Sequence, residues 1–127
     1  MQLEKLASEW IDAQRIDKDD QRLANPPAID AVIELGIDDP ETLWLLMLEI
    51  LSRKEIDDDV ITVLGAGPLE DLIAENGEEF IGRIKTELGS NTKLASAMTF
   101  VWVSEDVRPS VKEYTDLGCQ FVSAKAT

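Results

Sequence analysis

The segment from Asp39 to Leu51 constrains the fold more than any other. Asp39 is a good helix N-cap, Pro40 suits the first helical position, and Glu41 puts negative charge at the positive helix end. Leu43, Trp44, Leu45, Leu46, Met47, Leu48, Ile50 and Leu51 follow. A helix that is apolar almost all round must be covered on every side. It is therefore expected at the centre of the molecule, with other elements packed around it. Arg53 and Lys54 suit its C-terminal end.

The rest of the chain offers those elements. Leu3, Leu6, Trp10 and Ile11 recur at helical spacing, which predicts an amphipathic helix over residues 2–16. Asp17 to Asn25 reads as a polar loop. Pro26 and Pro27 can open a second helix, with Ile29, Val32, Ile33 and Leu35 inward and Gly36 as a left-handed stop. One of Asp57, Asp58 and Asp59 caps a short fourth helix through Leu64, and Gly65 to Gly67 break it. Pro68 opens a fifth helix, with Leu69, Leu72 and Ile73 inward, and Asn76-Gly77 ends it. A sixth starts at Glu78 and Glu79, buries Phe80, Ile81, Ile84 and Leu88, and stops at Gly89. Leu94, Ala97, Met98, Val101 and Trp102 carry a seventh. Its end, Thr99 to Val103, is β-branched and aromatic and reads equally as strand. Pro109 opens one more short helix with Val111, Tyr114 and Leu117, stopped by Gly118, and a tail follows.

Short loops between helices predict one all-α domain over residues 1–127. Its expected form is a compact bundle of about six to eight short helices in antiparallel hairpins. No internal repeat supports a solenoid.

Val60 to Leu64 followed by Gly65-Ala66-Gly67-Pro68 imitates a strand entering a dinucleotide-binding turn. That turn needs a third glycine, and Glu70 stands in its place. Asp71 adds a second carboxylate to the first helical turn, where a pyrophosphate would be repelled. The surrounding pattern is helical rather than sheet-like. No flavin or nicotinamide nucleotide is expected, nor any other cofactor.

Charge narrows the function further. The 127 residues include 26 acidic and 12 basic ones and no histidine, for a net charge of −14. This argues against binding nucleic acid or an anionic membrane through the protein's own surface, and favours a basic partner. Without histidine, the usual general base and commonest metal ligand are missing. Asp57-Asp58-Asp59 are consecutive and lead into a helix, so they lack calcium-loop spacing. Cys119 is the only cysteine, so no intrachain disulfide can form, as fits a reducing cytoplasm. Met1-Gln-Leu-Glu-Lys-Leu lacks the order of a signal peptide. Leu43 to Leu51 is too short to span a bilayer and contains Glu49. A cytoplasmic location is expected.

Several segments together resemble an uncharacterised bacterial domain family of unknown function with a Gly-Pro-Leu-Glu-Asp-Leu core motif. They are Trp10-Ile11, Asp39-Pro40-Glu41-Thr42-Leu43-Trp44, Leu48-Glu49-Ile50-Leu51, Gly67-Pro68-Leu69-Glu70-Asp71-Leu72-Ile73, Asn76-Gly77-Glu78 and Val101-Trp102. The resemblance covers residues 8–102 and leaves 103–127 as a C-terminal extension. Asn76 stands where the family often has histidine. The resemblance implies no activity.

Among single residues, Glu49 is the only polar side chain between Leu43 and Leu51, so it must be paired or protonated if buried. Arg53 lies four residues on, in the favourable order, and the N-terminus of the helix at Pro68 is a second partner to consider. Glu70 and Asp71 suit the first turn after Pro68. With Glu75, Glu78 and Glu79 they also form an acidic patch that a basic partner could read. Glu79 precedes Arg83 by four residues, again the stabilising order. Trp10, Trp44 and Trp102 are expected in the core.

Small size, strong acidity and missing catalytic groups point to a non-enzymatic binding module. In type it would match an immunity or inhibitor protein that neutralises a basic, nucleic-acid-processing partner. Two alternatives stand beside it. One is a carboxylate-dependent enzyme or small-ligand protein built on Glu49, Glu70 and Asp71. The other is a structural oligomerisation module.

Overall fold

The fold comes from a computed structural model that describes residues 2–14, 27–104 and 111–121. The helices are α1 (Leu3–Gln14), α2 (Pro27–Asp38), α3 (Pro40–Leu51), α4 (Asp58–Leu64), α5 (Glu70–Leu88), α6 (Thr92–Met98) and α7 (Val111–Asp116). A π-helical turn, Gly65–Leu69, joins α4 to α5. Two short strands, β1 (Trp102–Val103) and β2 (Gln120–Phe121), pair in parallel, Trp102 against Gln120 and Val103 against Phe121. The architecture is helical, as the periodicity implies. The expected loop at 17–25, Pro109 and most of the tail lie outside the described residues.

Helix α3 lies at the centre. Leu43, Trp44, Leu46, Met47, Ile50 and Leu51 are all buried, while Leu45 reaches the surface. Asp39 caps its start: the Thr42 amide donates to the Asp39 carboxylate at 3.2 Å and the Thr42 hydroxyl at 2.6 Å. These bonds hold the Asp39 carboxyl below its usual range, the hydroxyl acting most strongly. Asp57 caps α4 by accepting the Val60 amide at 3.0 Å, and Asn91 caps α6 through the Leu94 amide at 3.0 Å.

Two expected helix breaks are corrected. Helix α2 does not stop at Gly36. That residue is helical and buried against Leu43, and the Asp39 amide bonds back to the Leu35 carbonyl at 2.8 Å. Gly65 to Gly67 do not separate two helices either. Proline lacks an amide hydrogen, and its ring crowds the carbonyl four residues back, here Leu64. The wider π turn relieves that crowding, so the chain passes helically from Asp58 to Glu75. Asn76-Gly77 does interrupt the helix as expected: Asn76 is non-helical at φ −137°, ψ 26°, so α5 is two helical segments meeting at a kink. Ile73 before the kink and Gly77, Phe80 and Ile84 after it are all buried, so both segments pack on the core. Among the described residues only Gly118 takes positive φ, at 115°.

Helix α6 ends at Met98, and Trp102 belongs to β1 rather than to a helix. Trp102 is 52% exposed, which corrects its expected place in the core, whereas Trp10 and Trp44 are buried. Trp44 packs on Phe80 with ring centroids 6.2 Å apart. Ile33, expected on the inner face of α2, is also exposed. The Tyr114 hydroxyl, fully buried on α7, donates to the Gly77 carbonyl at 2.5 Å and fastens the C-terminal helix to the bend in α5.

Candidate functional site

Glu49 sits half-buried at the end of α3 and is used within the fold. The Arg53 guanidinium donates to its carboxylate at 2.8 Å, the expected i,i+4 pair. Arg53 also donates to the Ser8 hydroxyl at 3.0 Å and to the Glu4 carbonyl at 2.8 Å, both on α1. The hydrogen bond to Glu49 raises the Arg53 pKa further, so the cation is permanent. Glu49 thus orients a clamp between α3 and α1.

Glu70 has a comparable duty. Its carboxylate accepts the Trp102 backbone amide at 2.7 Å and so ties the first turn of α5 to β1. Cys119 lies buried nearby. Burial, reinforced by the Glu70 charge, pushes its thiol up to about 12.

Asp71, Glu75, Glu78 and Glu79 are different. All four are exposed on α5, and none has a hydrogen-bond or ion-pair partner among the described residues. Arg83 does not turn back to Glu79 as expected. It pairs with Glu41 at the start of α3 and lies over the Phe80 ring, 4.9 Å from its centroid.

Asp71 and Glu75 edge a groove between α2 and the start of α5. A cleft of about 270 Å³ has Trp10, Val32 and Leu43 at its base, with Ile29, Ile33, Val63, Pro68 and Asp71 among its other lining residues. A second, of about 440 Å³, is lined by Ile33, Gly36, Ile37, Asp71, Glu75 and Asn76. Ile33 and Asp71 line both, so the two clefts adjoin. Partial burial raises the Asp71 pKa, and repulsion from Glu75 adds to it.

Of the three carboxylates weighed together in the sequence, only Asp71 reaches this groove. Glu49 and Glu70 do not line either cleft. Among the described residues no group of three or more His, Cys, Asp or Glu side chains is arranged to hold a metal ion, and no helix is long and apolar enough to cross a membrane.

The apolar part of the groove was missed in the sequence. Ile33 and Ile37, one turn apart on α2, are 51% and 76% exposed. The signal existed: Ile29, Val32, Ile33, Leu35 and Ile37 are too many apolar residues for one face of a twelve-residue helix. Phe100, Trp102 and Phe121, in or next to the short strands, are also exposed.

The chain is thus an acidic helical domain with an apolar groove edged by carboxylates. It belongs to DUF6869, a family of unknown function, whose model matches residues 15–116. No curated protein and no solved structure matches it significantly.

Proposed function

We propose that this chain is a small non-enzymatic module that binds a basic protein and neutralises it, in the manner of an immunity or inhibitor protein. A partner that processes nucleic acid has the required positive surface. The observation that carries this reading is the run Asp71, Glu75, Glu78 and Glu79 along α5: four exposed carboxylates with no cation partner among the described residues. Charges left unpaired on one helix are free to meet the opposite charges of another molecule. The net charge of −14 adds long-range steering toward such a surface.

The test is capture of partners from a native lysate of the source organism, at low and at high salt. The wild-type chain is compared with a variant carrying Asp71→Asn, Glu75→Gln, Glu78→Gln and Glu79→Gln. A basic protein retained at low salt, released at high salt and lost with the variant is the expected result. Retention that ignores both salt and the four substitutions would sink the reading.

A further inference from the structure

We propose that the α2–α5 groove is the seat for one amphipathic basic helix of the partner, whose apolar side chains lie on Ile33 and Ile37 while its lysines or arginines face Asp71 and Glu75. This rests on the reading of the chain as a binder of a basic protein, and adds the shape of what it binds.

Three observations lead there. First, Ile33 and Ile37 stand one turn apart on α2 and are both exposed, an apolar strip along the groove on which the apolar face of a helix can lie. The adjoining cleft of about 270 Å³ offers an apolar pocket for one further anchor.

Second, carboxylates frame the apolar strip. Asp71 and Glu75 edge it on α5, while Asp30, Glu34 and Asp38 are exposed on α2. A second copy of this chain seated there would bring like charges together, and an anionic lipid surface would be repelled. A basic occupant is the complementary one.

Third, the groove is made of helices and a π turn, with no strand among its lining residues. It offers no ladder of amides and carbonyls to an extended peptide. The occupant must satisfy its own backbone, as a helix does. The π turn that supplies Gly67 and Pro68 to the lining is a device that recurs at functional sites.

The experiment measures binding of two synthetic 18-residue peptides of identical leucine and lysine composition. One places its leucines at i, i+3, i+4 and i+7. The other permutes them so that no apolar face forms. The amphipathic peptide is expected to bind at least tenfold more tightly. Ile33→Ser with Ile37→Ser, both exposed positions, is expected to remove most of that difference. Gly67→Leu, which fills the groove from a position where a Cβ meets nothing within 4 Å, should do the same. Asp71→Asn with Glu75→Gln should weaken both peptides and flatten their salt dependence. Equal affinity for the two peptides overturns the groove assignment and leaves the basic-partner reading standing. Preference for the amphipathic peptide that survives the Ile33 and Ile37 substitutions also overturns it. Failure of both peptides to bind wild type at low salt overturns the groove assignment as well, while the lysate capture decides the basic-partner reading separately. Dimerisation by light scattering that those two substitutions abolish would show a second copy in the groove instead.

Discussion

Gly65 lies directly against the Ala97 carbonyl. A Cβ added at Gly65 would overlap that oxygen and stand 3.1 Å from the Phe100 Cβ. The π turn therefore touches α6 backbone to backbone, and only glycine fits. Gly65→Ala must push α6 away and should cost about 1–3 kcal/mol, the usual range for overpacking. Gly67, two residues on, has open space where its Cβ would be. Gly67→Ala should stay within about 1 kcal/mol of wild type: the helical gain from alanine is offset by crowding against Pro68. Denaturant unfolding of the two variants gives the comparison. Equal stability would show that the α6 contact relaxes freely.

The bend at Asn76 is held from outside. The Tyr114 hydroxyl donates to the Gly77 carbonyl in a fully buried setting. Tyr114→Phe keeps the ring and removes the donor, leaving a buried carbonyl without that partner. The expected loss is about 1–3 kcal/mol, with little change in helical content. Tyr114→Leu should cost more, because packing is lost as well. Thermal and chemical unfolding followed by circular dichroism would decide. An unchanged Tyr114→Phe stability would mean the carbonyl finds another partner at once.

Much of the fold was legible because its signals are local and strong. Asp39 and Asp57 cap helices, and the apolar stripe of α3 lies where the pattern puts it. The failures share a cause. Gly36, Gly65 and Gly67 each permit a break, but none requires one, whereas the stop read at Asn76-Gly77 is a real kink. Trp102 misled because hydrophobicity says nothing of which face of a two-residue strand meets solvent. For the site, the carboxylates of α5 were visible as a run. Their division was not: Glu70 is drawn to Trp102 from 32 residues away, while Asp71 turns to the groove. The apolar excess on α2 was visible, but only tertiary placement shows that Ile33 and Ile37 are the part left exposed.

Cys119 should be an inert thiol. It is buried, and its pKa is pushed up to about 12 by burial and then by the Glu70 charge. The thiolate is the reactive form, so almost none is present near neutrality. Labelling with a disulfide reagent at pH about 8 should be slow in the native state and rapid in denaturant, where the ordinary thiol pKa of about 8.5 returns. The labelling rate then reports opening of the β1–β2 end of the molecule, because Cys119 immediately precedes β2. Immediate stoichiometric labelling of the folded protein would contradict this placement.

Asp71 should reveal itself by destabilising the protein near neutral pH. Its folded-state pKa is raised by burial and by Glu75. A carboxyl with a raised folded pKa favours the native state when protonated, fully so below the unfolded value of about 3.9. That contribution is lost as pH rises through the folded value, leaving a partly desolvated charge. Asp71→Asn should therefore raise the melting temperature at pH 7, and the gain should vanish toward pH about 3, where the wild-type side chain is itself neutral. Much of Asp71 is exposed, so screening keeps the gain under about 1 kcal/mol. Glu75→Gln should give a smaller gain by removing the repulsion alone. Melting curves of both variants across that range provide the check. A less stable Asp71→Asn protein at pH 7 would mean that the carboxylate is held by a favourable contact. A more stable one that has lost its affinity for the basic helix would mark Asp71 as a residue kept for binding against the interest of stability.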